Sequence, residues 1–239
     1  MNKGVILAGG TGSRLSPLTD VTNKHLLPVG RKPMILHLVG KLTEAGIKEI
    51  MVITGTEHMG DMISLLGSGE KYGCSFTFKV QEKSSGIADA LRLAKHFTGQ
   101  DKFVVLLGDN MFEDSLLPHI ERYSSSDKSC LLLLKKVHDP ERYGVAVVEE
   151  EKIVAAIEKP KQFVSDLCIT GIYMYDASVY EKIEDLKPSN RGEYEITELN
   201  HQYILEQNAN HSTLKGWWTD AGTFDSYSKA NILLNKSEV

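Results

Sequence analysis

A run of apolar, strand-forming residues from Lys3 to Leu7 delivers the chain directly into Ala8-Gly9-Gly10-Thr11-Gly12-Ser13-Arg14. No other stretch constrains the fold as much. A buried strand with glycines at its carboxyl end lets the backbone approach a ligand closely and points amide hydrogens at an anion. Two familiar phosphate loops do not fit. A Walker A loop ends in Gly-Lys followed by Ser or Thr, and Gly12-Ser13-Arg14 stands there instead. A dinucleotide fingerprint counted from Gly10 requires a third glycine where the chain has Leu15. Taken alone, the glycine stretch is as compatible with an ordinary tight turn between strand and helix as with a phosphate site.

Past the glycine loop, helical and strand patterns alternate. Pro33 stands where a helix begins, and Met34, Ile35, Leu38, Val39, Leu42 and Ala45 recur at helical spacing until Gly46 closes the segment. A strand from Glu49 to Thr54, a helix around His58 to Leu66 and a strand from Phe76 to Gln81 come next. Gly86 opens a helix through Phe97, and Lys102 to Leu107 is a central strand ending in Gly108-Asp109. The first half is therefore α/β and Rossmann-like, a mostly parallel central sheet flanked by helices, with right-handed crossovers. Beyond Leu131 the strands Leu131 to Val137, Val145 to Glu149, Ile153 to Glu158 and Cys168 to Tyr175 succeed one another without long helices, and Glu150-Glu151 forms a hairpin turn. This portion is expected to be antiparallel. Ile196 to Gln207 reads as a helix, Ser212 to Gly216 as a strand, Phe224 to Asn235 as a closing helix and Ser124 to Ser126 as a surface loop. With 239 residues, 41% of them hydrophobic, the chain has material for one sizeable core, so residues 1–239 are taken as a single domain.

A formal net charge of -5 argues against a protein that coats nucleic acid or an anionic membrane, so any phosphate site must be local. Cys74, Cys130 and Cys168 are odd in number and far apart, which excludes a disulfide framework and a CxxC metal site and leaves small buried thiols. Met1 to Leu7 is too short an apolar run to be expected as a signal peptide and nowhere do 18 apolar residues follow one another, so a cytoplasmic location is expected.

The glycine loop continues as Arg14-Leu15-Ser16-Pro17-Leu18-Thr19, and Lys24-His25-Leu26-Leu27-Pro28-Val29 lies further on. An arginine that forks onto phosphate oxygens and a nearby lysine as a compact charge suit a triphosphate. Together with Lys32-Pro33-Met34-Ile35, Gly108-Asp109-Asn110, Glu158-Lys159-Pro160, Arg191-Gly192-Glu193 and Trp218-Thr219-Asp220-Ala221-Gly222-Thr223, in order over almost the whole chain, these segments resemble the sugar-nucleotide pyrophosphorylases, and most closely the glucose-1-phosphate thymidylyltransferases. Residues by themselves would make Asp109 and Asp220 caps or turn residues, and Arg14, Lys24 and the Glu158-Lys159 pair solvated charge.

The resemblance implies transfer of a thymidylyl group from dTTP to glucose 1-phosphate with Mg2+. Residues 1–128 would mainly bind the nucleotide and residues 129–239 mainly the sugar phosphate. Leu7, Ala8, Gly9, Gly10, Thr11, Gly12, Ser13 and Arg14 would form the nucleotide site with Lys24, Gln81, Gly86 and Asp109. Asp109 and Asp220 would hold the metal. Arg14 would stabilise departing pyrophosphate, Lys24 the phosphates at the reacting centre, and Lys159 the phosphate of the sugar. Arg191 would assist Lys159, Glu158 would accept from sugar hydroxyls, and Tyr143-Gly144 and Thr170-Gly171 would give backbone contacts to the ring. The family also implies a homo-oligomer. One helix after Asp220 implies weak or purely competitive end-product inhibition, since longer members build a second nucleotide site from further helices. Where many relatives carry prolines after the glutamine, this chain has Glu82-Lys83-Ser84-Ser85, which bears on thymine against uracil; uridine triphosphate as donor or another hexose 1-phosphate as acceptor are the alternatives. His25 is expected to be a packing residue, because a phosphate nucleophile needs no general base. Trp217 and Trp218 are expected in the core or in subunit contacts. A non-catalytic sensor should have lost a metal aspartate or a phosphate cation, and this chain has Asp109, Asp220, Arg14 and Lys24.

Overall fold

The computed structural model describes residues 1–237. In chain order, β1 (Lys3–Ala8) leads through two 3-10 turns to the small hairpin β2 (Pro28–Val29) and β3 (Lys32–Pro33), then to α1 (Met34–Glu44). Next come β4 (Glu49–Thr54), α2 (Met59–Leu66), β5 (Ser75–Val80), α3 (Ile87–Arg92), α4 (Lys95–Thr98), β6 (Phe103–Leu107), β7 (Asn110–Phe112) and α5 (Leu117–Ser124). The remainder is β8 (Cys130–Lys136), β9 (Gly144–Glu149), β10 (Lys152–Glu158), β11 (Leu167–Tyr175), α6 (Val179–Asp185), α7 (Ile196–Leu205), β12 (Ala209–Thr213), β13 (Trp218–Asp220) and α8 (Phe224–Ser237). This is the α/β architecture that the alternating pattern predicts.

Contacts gather the chain into two compact units that interleave along the sequence. The glycine-loop unit comprises Asn2–Ser84, Leu106–Leu117 and the stretch from Gly216; the hairpin unit comprises Met1, Ser85–Val105 and Pro118–Lys215.

In the glycine-loop unit, β1, β4 and β5 pair in parallel, with Val5 opposite Met51 and Val52 opposite Phe78. β1 and β4 are buried almost end to end, as expected of parallel strands covered on both faces, whereas β5 alternates between exposed and half-buried positions. Helix α1 turns Met34, Ile35, Leu38, Val39 and Leu42 inward, each worth about 1.5–3 kcal/mol of apolar burial. Its end is fixed by two reversed bonds, Gly46 N to Thr43 O (3.0 Å) and Ile47 N to Leu42 O (3.0 Å), with Gly46 at a φ of 81° and Ile47 buried. That is a Schellman stop, and only the glycine accepts its left-handed backbone without cost. Helix α8 covers a second core of Val29, Met34, Met111, Ala221 and Ala230, and Asn231 Oδ1 accepts from Gly30 N at 2.8 Å.

In the hairpin unit, β8 and β11 are antiparallel with a register break between Ile169 and Tyr173, and β9 and β10 form the expected hairpin. Glu150 and Glu151 both take positive φ, 46° and 65°, the sense of turn whose twist matches a two-residue hairpin. Tyr175 stacks between Tyr173 and Tyr203, each 5.9 Å away by ring centroids. Cys130 and Cys168 are buried in β8 and β11, Cys74 is half-buried, and no disulfide joins any of the three.

Some elements depart from the sequence reading. The helix expected from Gly86 to Phe97 is two short helices, because Leu93 and Ala94 donate to Ala90 and Leu91, tightening the chain into i→i+3 bonds at the junction. The strand expected at Ser212 to Gly216 runs instead over Ala209–Thr213, parallel to β8; Asn208 fixes its start by accepting from Ser129 N at 3.0 Å. Helices α5 and α6 and the strands β7 and β13 have no counterpart in the sequence reading. Among the described residues no helix is long and apolar enough to cross a membrane.

Candidate active site

Leu7 and Ala8 are buried at the end of β1, and both of their carbonyls are engaged. Leu7 O accepts from Gly108 N at 2.8 Å, which ties the residue before Asp109 to the glycine loop, and Ala8 O accepts from Asn23 Nδ2 at 3.4 Å. Gly12 adopts a φ of 70° and heads the 3-10 turn Ser13–Leu15. Its carbonyl accepts from Leu15 N at 2.7 Å and from Thr19 Oγ1 at 2.9 Å. With Leu15 fully buried as an anchor, Thr11, Ser13 and Arg14 stand on the outside of the loop.

Lys24 opens the second 3-10 turn, Lys24–Leu26, which Asn23 caps by accepting from His25 N at 2.9 Å. From there the lysine stem runs beneath the glycines. A Cβ at Gly12 would stand 2.9 Å from Lys24 Cβ, and one at Gly10 would stand 3.3 Å from Lys24 Cε. The ammonium ends 2.5 Å from Asp109 Oδ2, with the two side chains only 11% and 16% exposed. Asp109 Oδ1 accepts from Asn110 Nδ2 at 3.1 Å. Burial pushes the Asp109 carboxyl upward, but the adjacent Lys24 charge and these hydrogen bonds outweigh it and hold the group well below the usual carboxylate range.

Asp220 reaches the same place through a short ribbon. β13 pairs antiparallel with β7, with Asp220 opposite Asn110 and Trp218 opposite Phe112, and Trp218 Nε1 donates to Asn110 Oδ1 at 2.8 Å. A Cβ at Gly222 would lie 3.3 Å from Asp220 Oδ2, 3.4 Å from Asp109 Oδ2 and 3.2 Å from Arg14 Nη2, so two carboxylates and a guanidinium converge on a spot kept open by a missing side chain. Two hard oxygen donors beside a phosphate-type loop fit magnesium, which is commonly held by one or two carboxylates while phosphates complete its shell. Among the described residues no group of three or more His, Cys, Asp or Glu gathers as a metal cage.

His25 is a packing residue, as expected. The residue is 1% exposed, its Nδ1 lies 2.6 Å from Asn23 Oδ1, and its ring fills the space beside Gly108. Burial, reinforced by the Lys24 charge, lowers its pKa to about 3, so it is neutral near pH 7. Trp218 is buried and Trp217 packs on the α8 core, as anticipated for both. Gln81 comes directly after β5, its N–H donating to Thr54 O at 2.8 Å, and its side-chain oxygen lies over Gly9.

The residues assigned to the sugar phosphate, and Gly86, all belong to the hairpin unit. The hairpin register sets Glu158 opposite Gly144, and Lys159 N donates to Tyr143 O at 3.0 Å while Lys159 itself takes a φ of 43°. Glu158 Oε2 accepts from Thr197 Oγ1 at 2.6 Å; Glu158 Oε1 faces Lys159 Nζ at 3.4 Å and Arg191 Nη2 at 3.5 Å. Arg191 is held mainly by Glu195, with 2.9 Å from Nη2 to each carboxylate oxygen, and this hydrogen bonding raises its pKa further. Thr170 and Gly171 are buried at the register break of β11, and the Thr170 hydroxyl donates to Leu133 O at 2.7 Å. Gly86 has a φ of 104° and lies against the Tyr194 backbone, where a Cβ would be 2.6 Å from the carbonyl oxygen.

Four polar residues of these clusters escape sequence reasoning in their roles: Asn23 and Asn110, which cap and brace the two charged residues, and Thr197 and Glu195, which fix Glu158 and Arg191. Asn110 stands inside the Gly108-Asp109-Asn110 motif, so a signal existed for it. Thr197 becomes visible only when α7 packs on β10, for which no local spacing gives a hint.

The sequence profile described as nucleotidyl transferase matches residues 3–237, and the chain belongs to that family. It is 39% identical over 234 residues to the low-salt glycan biosynthesis nucleotidyltransferase of Haloferax volcanii, covering 97% of this chain and 66% of that protein. Glucose-1-phosphate thymidylyltransferase of Neisseria meningitidis serogroup A is 38% identical over 232 residues, 95% of this chain and 81% of the relative. A crystal structure of a proposed glucose-1-phosphate thymidylyltransferase from Bacillus anthracis, in complex with sucrose, superposes with a TM-score of 0.94 at 53% identity, over 98% of this chain and 95% of that one.

Proposed function

We propose that this chain transfers a thymidylyl group from dTTP to glucose 1-phosphate, giving dTDP-glucose and pyrophosphate, with magnesium. The observation that carries the reading is the convergence of Arg14, Asp109 and Asp220 on the open position at Gly222, with Lys24 on Asp109 beneath the glycine loop.

In this reading an oxygen of the sugar phosphate attacks the α-phosphorus. The new P–O bond forms as the bond to the β-phosphate bridging oxygen breaks, and pyrophosphate leaves in line. The backbone from Leu7 to Ser13 cradles the phosphates, Arg14 takes charge from the departing pyrophosphate, and Lys24 takes charge at the reacting centre. Asp109 and Asp220 would hold magnesium, which would neutralise phosphate charge and polarise the phosphoryl oxygens. Gln81 offers an amide donor and acceptor to a pyrimidine edge, with the backbone of Gly86 as its partner in that role. On the acceptor side, Glu158 Oε1 accepts from hydroxyls of the hexose while Lys159 and Arg191 balance its phosphate; Tyr143, Gly144, Thr170 and Gly171 line the ring. A neutral His25 takes no proton from a nucleophile that is already ionised.

Thymine and uracil present the same hydrogen-bonding edge to an amide, so uridine triphosphate is the competing donor. The test is pyrophosphate release over a panel of nucleoside triphosphates and hexose 1-phosphates. The highest kcat/KM is expected for dTTP with glucose 1-phosphate. A higher value for UTP replaces the donor, and no release with any pair overturns the transferase reading.

A further inference from the structure

The Lys24 ammonium occupies the very oxygen of Asp109 that faces the opening at Gly222. Asp109 Oδ1 is already engaged by Asn110, so both oxygens of this carboxylate have protein donors. The lysine is packed close under the glycine loop. Its stem lies against Gly10 and Gly12, its Nζ would be 3.4 Å from a Cβ at Gly10, and its side chain is almost buried. A divalent cation bound through Asp109 Oδ2 has to replace an ammonium already there, and the displaced charge would then stand next to the incoming one. Like charges in a poorly solvated site repel strongly. The conflict disappears when another anion accepts the lysine, and the anion that the glycine loop is built to admit is a phosphate chain.

Resting on the metal reading above, we propose that Lys24 is the resident counter-ion of Asp109, which keeps the metal position closed in the empty protein and opens it when nucleotide phosphates draw the ammonium away. Lys24 thereby couples the two ligands: metal alone binds weakly, metal with phosphate binds well, and by linkage the coupling is reciprocal. Lys24 is then a positioning residue for the metal as well as a contact for phosphate. This fixes the order of loading, because the metal enters with the triphosphate or after it.

The test reads metal binding rather than turnover. Free Mn2+ is measured by electron paramagnetic resonance during titration of the nucleotide-free protein, for wild type, Lys24→Met, Lys24→Gln, Asp109→Asn and the double variant Lys24→Met/Asp109→Asn. Removing the ammonium is expected to tighten Mn2+ binding about tenfold or more, and Asp109→Asn in the same background is expected to cancel that gain. Circular dichroism identifies any variant that fails to fold, and Lys24→Gln, which keeps a hydrogen-bond donor for Asp109, serves if Lys24→Met does not. Unchanged or weaker Mn2+ binding in the folded lysine variants overturns the counter-ion role while a loss of binding in Asp109→Asn still supports the metal assignment. A gain in Lys24→Met that survives Asp109→Asn overturns the metal assignment itself, and the counter-ion role with it.

Discussion

Gly222→Ala adds one methyl at the point where the three charged groups converge. The position is buried but not left-handed, so alanine meets no backbone strain, and replacing glycine removes freedom from the unfolded chain, worth about 0.4–1 kcal/mol in favour of the fold. Against this, the methyl would sit 3.2 Å from Arg14 Nη2, 3.3 Å from Asp220 Oδ2 and 3.4 Å from Asp109 Oδ2, inside the roughly 3.5–4.0 Å at which a carbon rests comfortably. Each side chain must retreat by a few tenths of an ångström, on the order of the tolerance within which a working constellation has to be held. Stability should therefore stay within about 1 kcal/mol of wild type, while kcat/KM falls by roughly tenfold to a hundredfold, about 1.4–2.7 kcal/mol of barrier. Urea denaturation and initial-rate pyrophosphate release measure the two quantities on the same preparations. Wild-type kcat/KM in a folded Gly222→Ala protein would refute the reasoning, since the opening at Gly222 would then have no part in the reaction.

Gly144→Ala places a methyl 2.7 Å from Thr197 Oγ1, which must release Glu158; KM for the sugar phosphate should rise about tenfold with KM for the triphosphate little changed, and an equal rise in both would separate Gly144 from acceptor binding. His25 supplies a pH test. Its pKa is about 3 folded against an ordinary 6.5, so between those values the unfolded chain binds the extra proton and stability falls on acidification. The slope approaches about 1.4 kcal/mol per pH unit below pH 6.5, or about 2 kcal/mol by pH 5. Urea midpoints from pH 7 to 5 should drop more steeply for wild type than for His25→Gln, and parallel slopes would exclude a buried neutral imidazole.

The parallel part of the fold was legible because its signals are local. β1 and β4 are unbroken apolar runs, α1 shows its period in five buried residues, and Gly46 marks its stop. The hairpin at Glu150-Glu151 announced itself by two polar residues between apolar strands. By contrast, β7 and β13 are three residues each and lack any period, because they hold together by pairing between remote segments. The same division governs the candidate site. Arg14, Lys24, Asp109 and Asp220 stood out within motifs, but that Lys24 rests on Asp109, or that Thr197 holds Glu158, depends on packing that no spacing encodes.

The β7–β13 ribbon also bears on when the carboxylate pair comes into being during folding. Asp109 and Asp220 are far apart in sequence and become neighbours only once Asp220 has paired opposite Asn110 and Trp218 has found the Asn110 side chain. An unfolded chain offers a divalent cation two isolated aspartates and no chelate. Ligands that require both carboxylates must therefore bind the native state alone, and they stabilise it in proportion to the logarithm of their concentration over their dissociation constant. The ribbon thus links the closing of the chain to any ligand that needs both carboxylates, so the melting temperature would rise with the concentration of such a ligand and report its occupancy.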